Sequence, residues 1–440
     1  MLTLFRFGLV LALLLGAAGP SLAQSNTPTE APADSSQKPN DEGQPGIVDL
    51  RALVEELLPN NPDIRAARYR YDAASKRPSQ LSTLPDPKLT FVDFGVGHPF
   101  STLNVSEFAY LGFGVSQEVP FPGKLSLAGR EARKEADSEG EMYRAVVLDT
   151  IARLKLAYYD WFYVWKAIET TNKNRDLLER FEKIARARYS VGKGIQQDVL
   201  KAQVELSGLA QQLELLEQRR GSIEAQINSL LNRAPGTPLG RPADLKRSPF
   251  ELKLDSLLGL IESSAPRLRA RQLLVESRGV GVDRAKKEYL PDFNFNFQWE
   301  RTGSRFRDYY MATVDVKVPL YFWRKQRYGV EEAAARLQES RQNYQSTRQE
   351  LFFMAKDQYL VAKTSERVLA LYDSGIIPQA ALSLESALAG YEVGSVDFLT
   401  LINNLVTLLS FEVQYYEELA KHEQALARLE PLIDRTLTQP

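Results

Sequence analysis

The sequence predicts an α+β protein made of long antiparallel helices and four β-strands, arranged as two copies of one structural unit. Three observations predict this fold. The same order of Pro- and Gly-containing motifs occurs twice, about 200 residues apart. Apolar residues recur at steps of three and four over very long stretches, as in coiled coils. Four shorter segments alternate between apolar and polar residues, as strands do.

The N-terminal part of the chain precedes the repeat and has a different composition. Residues 1–23 predict a secretory signal peptide, because Arg6 precedes an apolar run and residues 21–23 (SLA) provide a cleavage site. We expect the mature chain to begin at Gln24 and to carry no lipid, since the sequence contains no Cys. Residues 24–46 are rich in Pro, Ser, Asn and acidic residues, which predicts a disordered tether.

The repeated part is predicted to consist of two copies joined by a linker. Each copy contains, in order, a Pro-containing helix start, a Leu-Pro-Asp motif, a β-hairpin, and two helical runs separated by a Tyr-x-x-Gly turn. The hairpins are predicted at about 88–119 and 292–319. The predicted boundaries are 47–233 for the first copy, 234–250 for the Pro- and Gly-rich linker, 251–435 for the second copy and 436–440 for a tail.

The helical runs predict packing against other helices. Apolar residues follow alternate steps of four and three in residues 147–168, 206–230 and 398–426, and such a heptad repeat requires coiled-coil partners. A single helix from Lys124 to Val191 would be roughly 100 Å long at 1.5 Å per residue. We interpret these runs as the wall of a helical tube, and a rod-like scaffold is the alternative.

The four alternating segments have about the length that a tilted strand needs to cross a bilayer. They cover residues 89–96, 109–116, 293–299 and 310–318, with aromatic residues clustered at their ends as in membrane barrels. The segment at 89–96 is the weakest, because Asp93 lies among apolar neighbours. The polar positions of the second hairpin are predicted to face a water-filled lumen, since a charge facing lipid at mid-depth costs roughly 2–4 kcal/mol. These positions are Asn294, Asn296, Gln298, Glu300, Asp315 and Lys317. For Asp315 and Lys317 the alternative is a place near the periplasmic rim, where a charge costs little.

A sheet in a membrane must have no free edges. Known membrane barrels begin at eight strands, and one chain provides four. Several chains must therefore combine, and two, three or four copies would give eight, twelve or sixteen strands. The number of strands per chain does not determine which of these numbers of copies forms the barrel.

Composition argues against several functional classes. The chain has 55 Lys and Arg against 56 Asp and Glu, a balance that is not typical of nucleic-acid binders. The absence of Cys excludes disulfides, zinc–thiolate sites and thiol nucleophiles. The two histidines, His98 and His422, do not have the spacing of a metal motif. We expect no metal site, no cofactor and no catalytic residue, and carboxylate-only chemistry in a periplasmic enzyme stays open as an alternative.

The motifs of the two repeated copies, taken in their order along the chain, resemble the TolC-type outer-membrane efflux channels. The resemblance covers residues 47–435 and includes the Tyr-x-x-Gly turns at 189–192 and 391–394. It also includes the pattern Asp198-Val-Leu-x-Ala-x-Val-x-Leu206 after the first turn. Residues 117–124 (QEVPFPGK) resemble the branch that exports heavy metals of the cobalt–zinc–cadmium type.

The resemblance implies a homotrimer with a 12-stranded outer-membrane β-barrel, continued by a helical tunnel into the periplasm of a Gram-negative-type bacterium. It also implies a periplasmic adaptor (membrane fusion) protein and an inner-membrane pump, commonly of the resistance–nodulation–division type. The channel itself would be a passive duct with no enzymatic activity. Metal cations, drugs or a type I secreted polypeptide are the alternative cargoes, and a periplasmic coiled-coil scaffold without a barrel is the alternative function.

Two groups of site residues follow from the resemblance. The helix-reversing turns would dock the adaptor, and they contain Val191, Gly192, Lys193, Gly194, Val393, Gly394 and Ser395. The family often has two gate aspartates six and nine residues after the second turn glycine, where this chain has Thr400 and Asn403. A softer polar gate is therefore predicted from Asp198, Asp397, Thr400, Asn403 and Asn404, although both aspartates could equally be helix N-terminal acids.

Overall fold

Long helices make up most of the computed structural model, which describes residues 46–438. The predicted signal peptide and nearly all of the predicted tether lie outside these residues. The helices and strands of the first half are β1 (Ile47–Val48), α1 (Leu50–Asn60), α2 (Pro62–Ser82), β2 (Lys88–Phe94), β3 (Tyr110–Val119), α3 (Lys124–Ser190) and α4 (Gln196–Leu230). Those of the second half are β4 (Arg241–Pro242), α5 (Leu254–Ser264), α6 (Pro266–Lys287), β5 (Asp292–Arg301), β6 (Tyr309–Lys317), α7 (Lys325–Leu371), a π-helix (Tyr372–Ile376), α8 (Ile377–Val393) and α9 (Phe398–Ile433).

The Pro-containing helix starts of the two halves are stabilised differently. Proline at the first position of a helix has no unsatisfied N–H, and its fixed φ suits the helix. Before Pro62, the Asn61 side chain also accepts hydrogen bonds from Asp63 N (2.9 Å) and Ile64 N (3.1 Å). Its amide donates to the Leu230 carbonyl at 2.8 Å, so this cap also joins α2 to the end of α4. Before Pro266, Ala265 provides no side-chain cap.

The two long helical runs differ in continuity. Helix α3 continues for 67 residues without a break, as the sequence predicts. The corresponding run in the second half is interrupted by a five-residue π-helix just before Pro378. Proline lacks an N–H and its ring clashes with the carbonyl four residues earlier, so the wider π turn accommodates it. The sequence analysis did not predict this break.

The apolar heptad positions form the core between the helices. A polar residue that interrupts a heptad, Glu423, instead binds the inter-repeat linker. Leu154, Tyr158 and Trp161 of α3 are buried against residues of α1, α4 and α9. Glu423, at a heptad position of α9, accepts hydrogen bonds from the Ser248 amide (2.7 Å) and hydroxyl (2.8 Å). This buried carboxylate therefore fastens the inter-repeat linker to α9.

The four long strands form one antiparallel sheet in the order β2-β3-β5-β6. All four predicted strands are present, and the two hairpins meet where β3 pairs with β5. Strands β2 and β6 are the edges of this sheet within the described residues. A second pair was not predicted: two-residue strands β1 and β4 lie parallel and connect the start of the first half to the linker.

Candidate functional site

The sheet has one apolar face that continues across all four strands. The register places Phe295 opposite Val314, Val115 opposite Phe297, and Leu89 opposite Val115, and directly paired residues share a face. These side chains are not covered by the rest of the chain: Phe295 is 48% exposed and Val314 56%. An exposed apolar surface of this extent marks an interaction site with protein or membrane.

The opposite face of the sheet contains the polar residues predicted to line a lumen. The Asp315 carboxylate accepts hydrogen bonds from the amides of Asn296 (2.6 Å) and Asn294 (3.3 Å). Gln298 donates to Glu300 at 3.1 Å. The structure thus brings the predicted residues together on one face of β5 and β6.

Asp93, the residue that made β2 the weakest of the four predicted strands, lies on the apolar face of the sheet. It forms hydrogen bonds with the loop that follows β2. Its carboxylate accepts hydrogen bonds from the Phe100 amide (2.7 Å) and the Thr102 hydroxyl (2.8 Å). A charged residue at the end of a strand can be satisfied by its own loop, so it does not contradict a membrane strand.

The junction between β3 and α3 depends on a buried lysine. Gly123 adopts φ +96°, a left-handed conformation that favours glycine. The next residue, Lys124, is 8% exposed and its ammonium lies 2.8 Å from Asp292 Oδ1 and 3.4 Å from Glu288 Oε2. The Phe121 amide donates to the same Asp292 oxygen at 2.9 Å. This network attaches the first hairpin's exit to the start of β5.

The two predicted tips are helix-reversing turns with the same backbone. Gly192 and Gly394 adopt φ +73° and +82°. Lys193 N donates to the Arg188 carbonyl, and Ser395 N to the Gly390 carbonyl, each at 2.9 Å and each five residues back. This bonding is the Schellman motif that ends a helix at a left-handed glycine.

Arg188 joins the two tips, and the sequence analysis did not find it. Its guanidinium lies 4.5 Å from the centre of the Tyr391 ring and donates a hydrogen bond to the Tyr391 carbonyl. The two residues are 203 positions apart, so no local pattern indicates their contact. Tyr391 itself packs on Phe398 of α9, with ring centres 5.4 Å apart. The contact ties the end of α3 to both helices of the second hairpin.

The two predicted gate aspartates have opposite environments. Burial raises the pKa of Asp198, and the nearby negative charge of Asp397 raises it further, while Arg188 lowers it. Hydrogen bonds from the Thr400 hydroxyl and amide lower the pKa of Asp397, with the amide 2.7 Å away. Asp397 is therefore the N-cap of α9, and Asp198 is a partly buried acid beside it.

Of the remaining predicted gate residues, Thr400 bonds Asp397, whereas Asn404 bonds a different helix. Asn404 donates a hydrogen bond to the Ser383 carbonyl of α8 at 3.4 Å. Thr400 and Asn403 are exposed in the first turns of α9. In residues 46–438, no three or more His, Asp or Glu side chains are grouped so that they could hold a metal ion. No helix in this same stretch is both long and apolar enough to cross a membrane.

The comparison with protein families agrees with this geometry. A family model described as outer membrane efflux protein matches residues 53–233 and 257–434, one segment for each repeat. The chain belongs to the outer membrane efflux protein family. The predicted family and the predicted outer-membrane location are thereby confirmed.

Individual relatives of this outer membrane efflux protein cover nearly all of the chain. It is 23% identical to the cobalt-zinc-cadmium resistance protein CzcC of Cupriavidus metallidurans, over 89% of this chain and 91% of CzcC. Its fold is similar to the outer-membrane channel OprN, with 17% identity, a TM-score of 0.75, and 94% and 98% of the two chains covered. It is also similar to the Campylobacter jejuni CmeC outer membrane channel, with 14% identity, a TM-score of 0.75, and 96% and 95% covered.

Proposed function

We propose that three copies of this outer membrane efflux protein close their sheets into a 12-stranded β-barrel and act as a passive export duct. The observation that carries this proposal is the sheet, with one continuous apolar face, one polar face and two free edges. Pairing β6 of one copy with β2 of the next would remove both edges, as a bilayer requires. Twelve strands exceed the smallest known membrane barrels, and the family resemblance favours three copies.

The long helices would continue this barrel as a tunnel into the periplasm. Three copies would present six tips, and each tip has the same glycine-terminated turn. We propose that the exposed turns around Gly192 and Gly394 dock a periplasmic adaptor protein, which connects the duct to an inner-membrane pump of the resistance–nodulation–division type. The duct would perform no chemistry and hold no cofactor, and the pump would supply the energy.

The tip region would also contain the gate. Arg188 holds the second hairpin to the end of α3, and Asp198 and Asp397 lie close enough for their charges to interact. We propose that these residues, with the exposed Thr400 and Asn403 and the half-buried Asn404, form a polar constriction when three copies meet. Opening would then require the Arg188–Tyr391 contact to separate.

The cargo we favour is a divalent metal cation. The support is the similarity to a cobalt-zinc-cadmium resistance protein over almost the whole chain, together with the motif at residues 117–124. A drug duct is the second candidate, because a putative multidrug resistance outer membrane protein, MdtQ, is 23% identical over 56% of this chain. Deletion of the gene should raise cellular cobalt, zinc or cadmium, and accumulation of a dye or antibiotic alone would favour the drug duct.

The barrel is tested by charges placed on its two faces. Phe295→Arg or Val314→Arg would put a charge toward lipid, at roughly 2–4 kcal/mol for each copy near the bilayer centre. We expect both variants to lose outer-membrane trimers, measured by heat-modifiable gel migration. Asn296→Arg is the matched control on the polar face, and it should assemble and change the conductance in planar bilayers. Equal assembly of all three variants would contradict the assignment of the faces.

A further inference from the structure

The end of the inter-repeat linker is buried against two helices of the second repeat. Its residues Ser248 and Phe250 are both buried within one copy of the chain. On α9, the Glu423 carboxylate accepts the two hydrogen bonds from Ser248 described above. On α7, the Lys363 ammonium donates to the Phe250 carbonyl and lies 5.2 Å from the centre of the Phe250 ring. The linker is therefore held by α7 and α9 together.

His422 of α9 adds a third attachment, and its side chain is completely buried. Its Nε2 lies 3.0 Å from the Ser248 carbonyl oxygen, and its Nδ1 lies 3.2 Å from the Ala362 carbonyl oxygen of α7. A carbonyl oxygen can only accept a hydrogen bond, and a neutral imidazole has a single N–H. A neutral ring would therefore donate to one carbonyl and turn a lone pair toward the other. Only the imidazolium form donates to both.

Glu423, the next residue of α9, provides the opposite charge. Each of its two oxygens accepts one hydrogen bond from Ser248. This arrangement suits a carboxylate, because a protonated carboxyl group would also need an acceptor for its own proton. Burial raises the pKa of Glu423, whereas the hydrogen bonds from Ser248 and the charge of His422 lower it. An imidazolium beside a carboxylate leaves no net charge in the buried site, where an unpaired charge would be costly.

The other ionisable side chains on the surrounding elements do not compensate the ring. Three acids already have cationic partners: Glu430 binds Lys155 of α3 (2.6 Å), Glu418 binds Lys421 (3.0 Å), and Glu366 binds Lys363 (2.9 Å). In the linker, Lys246 and Arg247 are exposed. On α3, burial and, to a smaller extent, the charge of Glu423 raise the pKa of the Tyr159 phenol, so this group stays neutral. Glu423 is therefore the counter-charge of His422.

We propose that His422 and Glu423 form a proton-dependent clamp that holds the inter-repeat linker against α7 and α9. With both ring protons present, the imidazolium connects Ala362 of α7 to Ser248 of the linker. When the pH rises and one ring proton is lost, one of the two carbonyls faces a lone pair and its hydrogen bond is broken. The clamp is thus closed at the lower pH and released as the pH rises. It lies within one copy and does not depend on how many copies form the barrel.

Nitrogen-15 NMR of the histidine rings tests the charge of the clamp. The chain has only two histidines, and His98 is exposed in the loop after β2. Full-length protein with nitrogen-15 histidine, reconstituted in lipid bilayers, is measured by magic-angle spinning, and His98→Gln leaves the signals of His422 alone. At about pH 7.5 a histidine in water is mostly neutral. We expect both ring nitrogens of His422 to be protonated there. One unprotonated ring nitrogen on His422 in the wild type would overturn the clamp.

The counter-charge is tested by a pair of variants on α9. Glu423→Gln should remove the second ring proton of His422 at the same pH, because it removes the balancing charge. Glu417→Gln is the matched control, since it neutralises an exposed acid of the same helix and should leave both protons in place. Both protons retained in folded Glu423→Gln would overturn the pairing. The wild-type measurement decides the charge of the ring even if Glu423→Gln does not fold.

A spin label on the linker tests whether the proton holds this segment. Lys246→Cys places the label near the clamp, and Arg241→Cys places a control label in β4 at the other side of the linker; both positions are exposed. As the pH is raised, the label at Lys246→Cys should become more mobile in parallel with the loss of the second ring proton. The label at Arg241→Cys should not change. Constant mobility at Lys246→Cys after the ring has lost its proton would show that His422 does not clamp the linker.

Discussion

The two repeats reach the same kind of tip by different helices. In the first repeat α3 is continuous over 67 residues, whereas in the second α7 is followed by a π-helix and the 17-residue α8. Both nevertheless end in the same glycine turn, with equal 2.9 Å hydrogen bonds. The tip is therefore determined by the local Tyr-x-x-Gly sequence. The continuity of the helix depends on one distant residue, Pro378.

The tips also differ in charge. Near the first tip, Arg180, Lys183 and Lys193 are exposed. The second repeat has exposed Glu385 and Glu392 at its tip, and residues 368–420 contain no Lys or Arg. Duplication thus preserved the backbone of the hairpin while the side chains acquired opposite charges. In the proposed trimer an adaptor would meet basic and acidic tips in alternation.

The largest difference between the repeats is expected at the sheet exits. Lys124→Met removes a cation that is 8% exposed and leaves the Asp292 carboxylate with only the Phe121 amide and the charge of Lys317, so the cost should lie at the lower end of about 3–5 kcal/mol. Lys325→Met changes the corresponding lysine of the second exit, which is exposed within a single copy, and should cost that copy less than about 0.5 kcal/mol. In single copies kept apart in detergent, the denaturation midpoint should fall only for Lys124→Met. Similar midpoints for the two variants would mean that the two exits of one copy are energetically alike.

Regular features of this fold could be predicted from sequence, and contacts between distant residues could not. The heptads, the alternating segments and the turn glycines are local patterns, so they located the helices, the four strands and both tips. Pro378 is a local signal for the break before α8, and the sequence analysis did not use it. The Lys124–Asp292 pair and the Arg188–Tyr391 contact depend on how the two repeats pack. The predicted gate came from family positions, and those positions contain Thr400 and Asn403 here.

The contact between Arg188 and Tyr391 joins the two tips of one copy, and its loss should have the next largest effect. Arg188→Ala removes a charged hydrogen bond and a cation–π contact with Tyr391, together worth about 2 kcal/mol. Since the chain has no Cys, Val191→Cys and Val393→Cys provide two unique spin-label sites. Trimers diluted with unlabelled copies should show a longer and broader distance between the tips after Arg188→Ala. Arg186→Ala is the control, because Arg186 bonds Glu182 of its own helix. An unchanged distance would mean that Arg188 does not hold the tips together.

A smaller effect is expected when a bulky side chain replaces Gly192 or Gly394 in the turns. Any side chain at Gly192 or Gly394 strains a left-handed backbone by about 1–2 kcal/mol, so Gly→Ala and Gly→Trp share the strain and differ in bulk. All four variants should form trimers. We expect only the Trp variants to lose export, measured as metal or drug resistance of the same strains, because bulk would block adaptor docking. Export retained by Gly192→Trp and Gly394→Trp would show that the turns are helix caps without a docking role.

The smallest effect distinguishes the two tip aspartates by pH. The pKa of Asp198 is raised, chiefly by burial, so the folded tip takes up this proton at a higher pH than the unfolded chain does. Its stability therefore increases as the pH falls through that raised pKa. The pKa of Asp397 is lowered by the Thr400 hydrogen bonds, so the unfolded chain takes up this proton first. The stabilisation by Asp397 is present above the ordinary Asp pKa of about 4 and is lost as the pH falls toward the lowered value.

The wild-type tips should therefore respond to acid in two steps of opposite sign. The distribution of distances between labels at Val191→Cys and Val393→Cys should first become narrower, when Asp198 is protonated. It should then become broader, when the Asp397 cap is lost. Asp198→Asn should remove the first step and Asp397→Ala the second, since alanine cannot cap α9. Identical pH profiles for both variants and the wild type would mean that neither carboxylate controls the tips. If the order of the two steps were reversed, Asp397 would take up its proton at a higher pH than Asp198, which contradicts the raised pKa of Asp198 and the lowered pKa of Asp397.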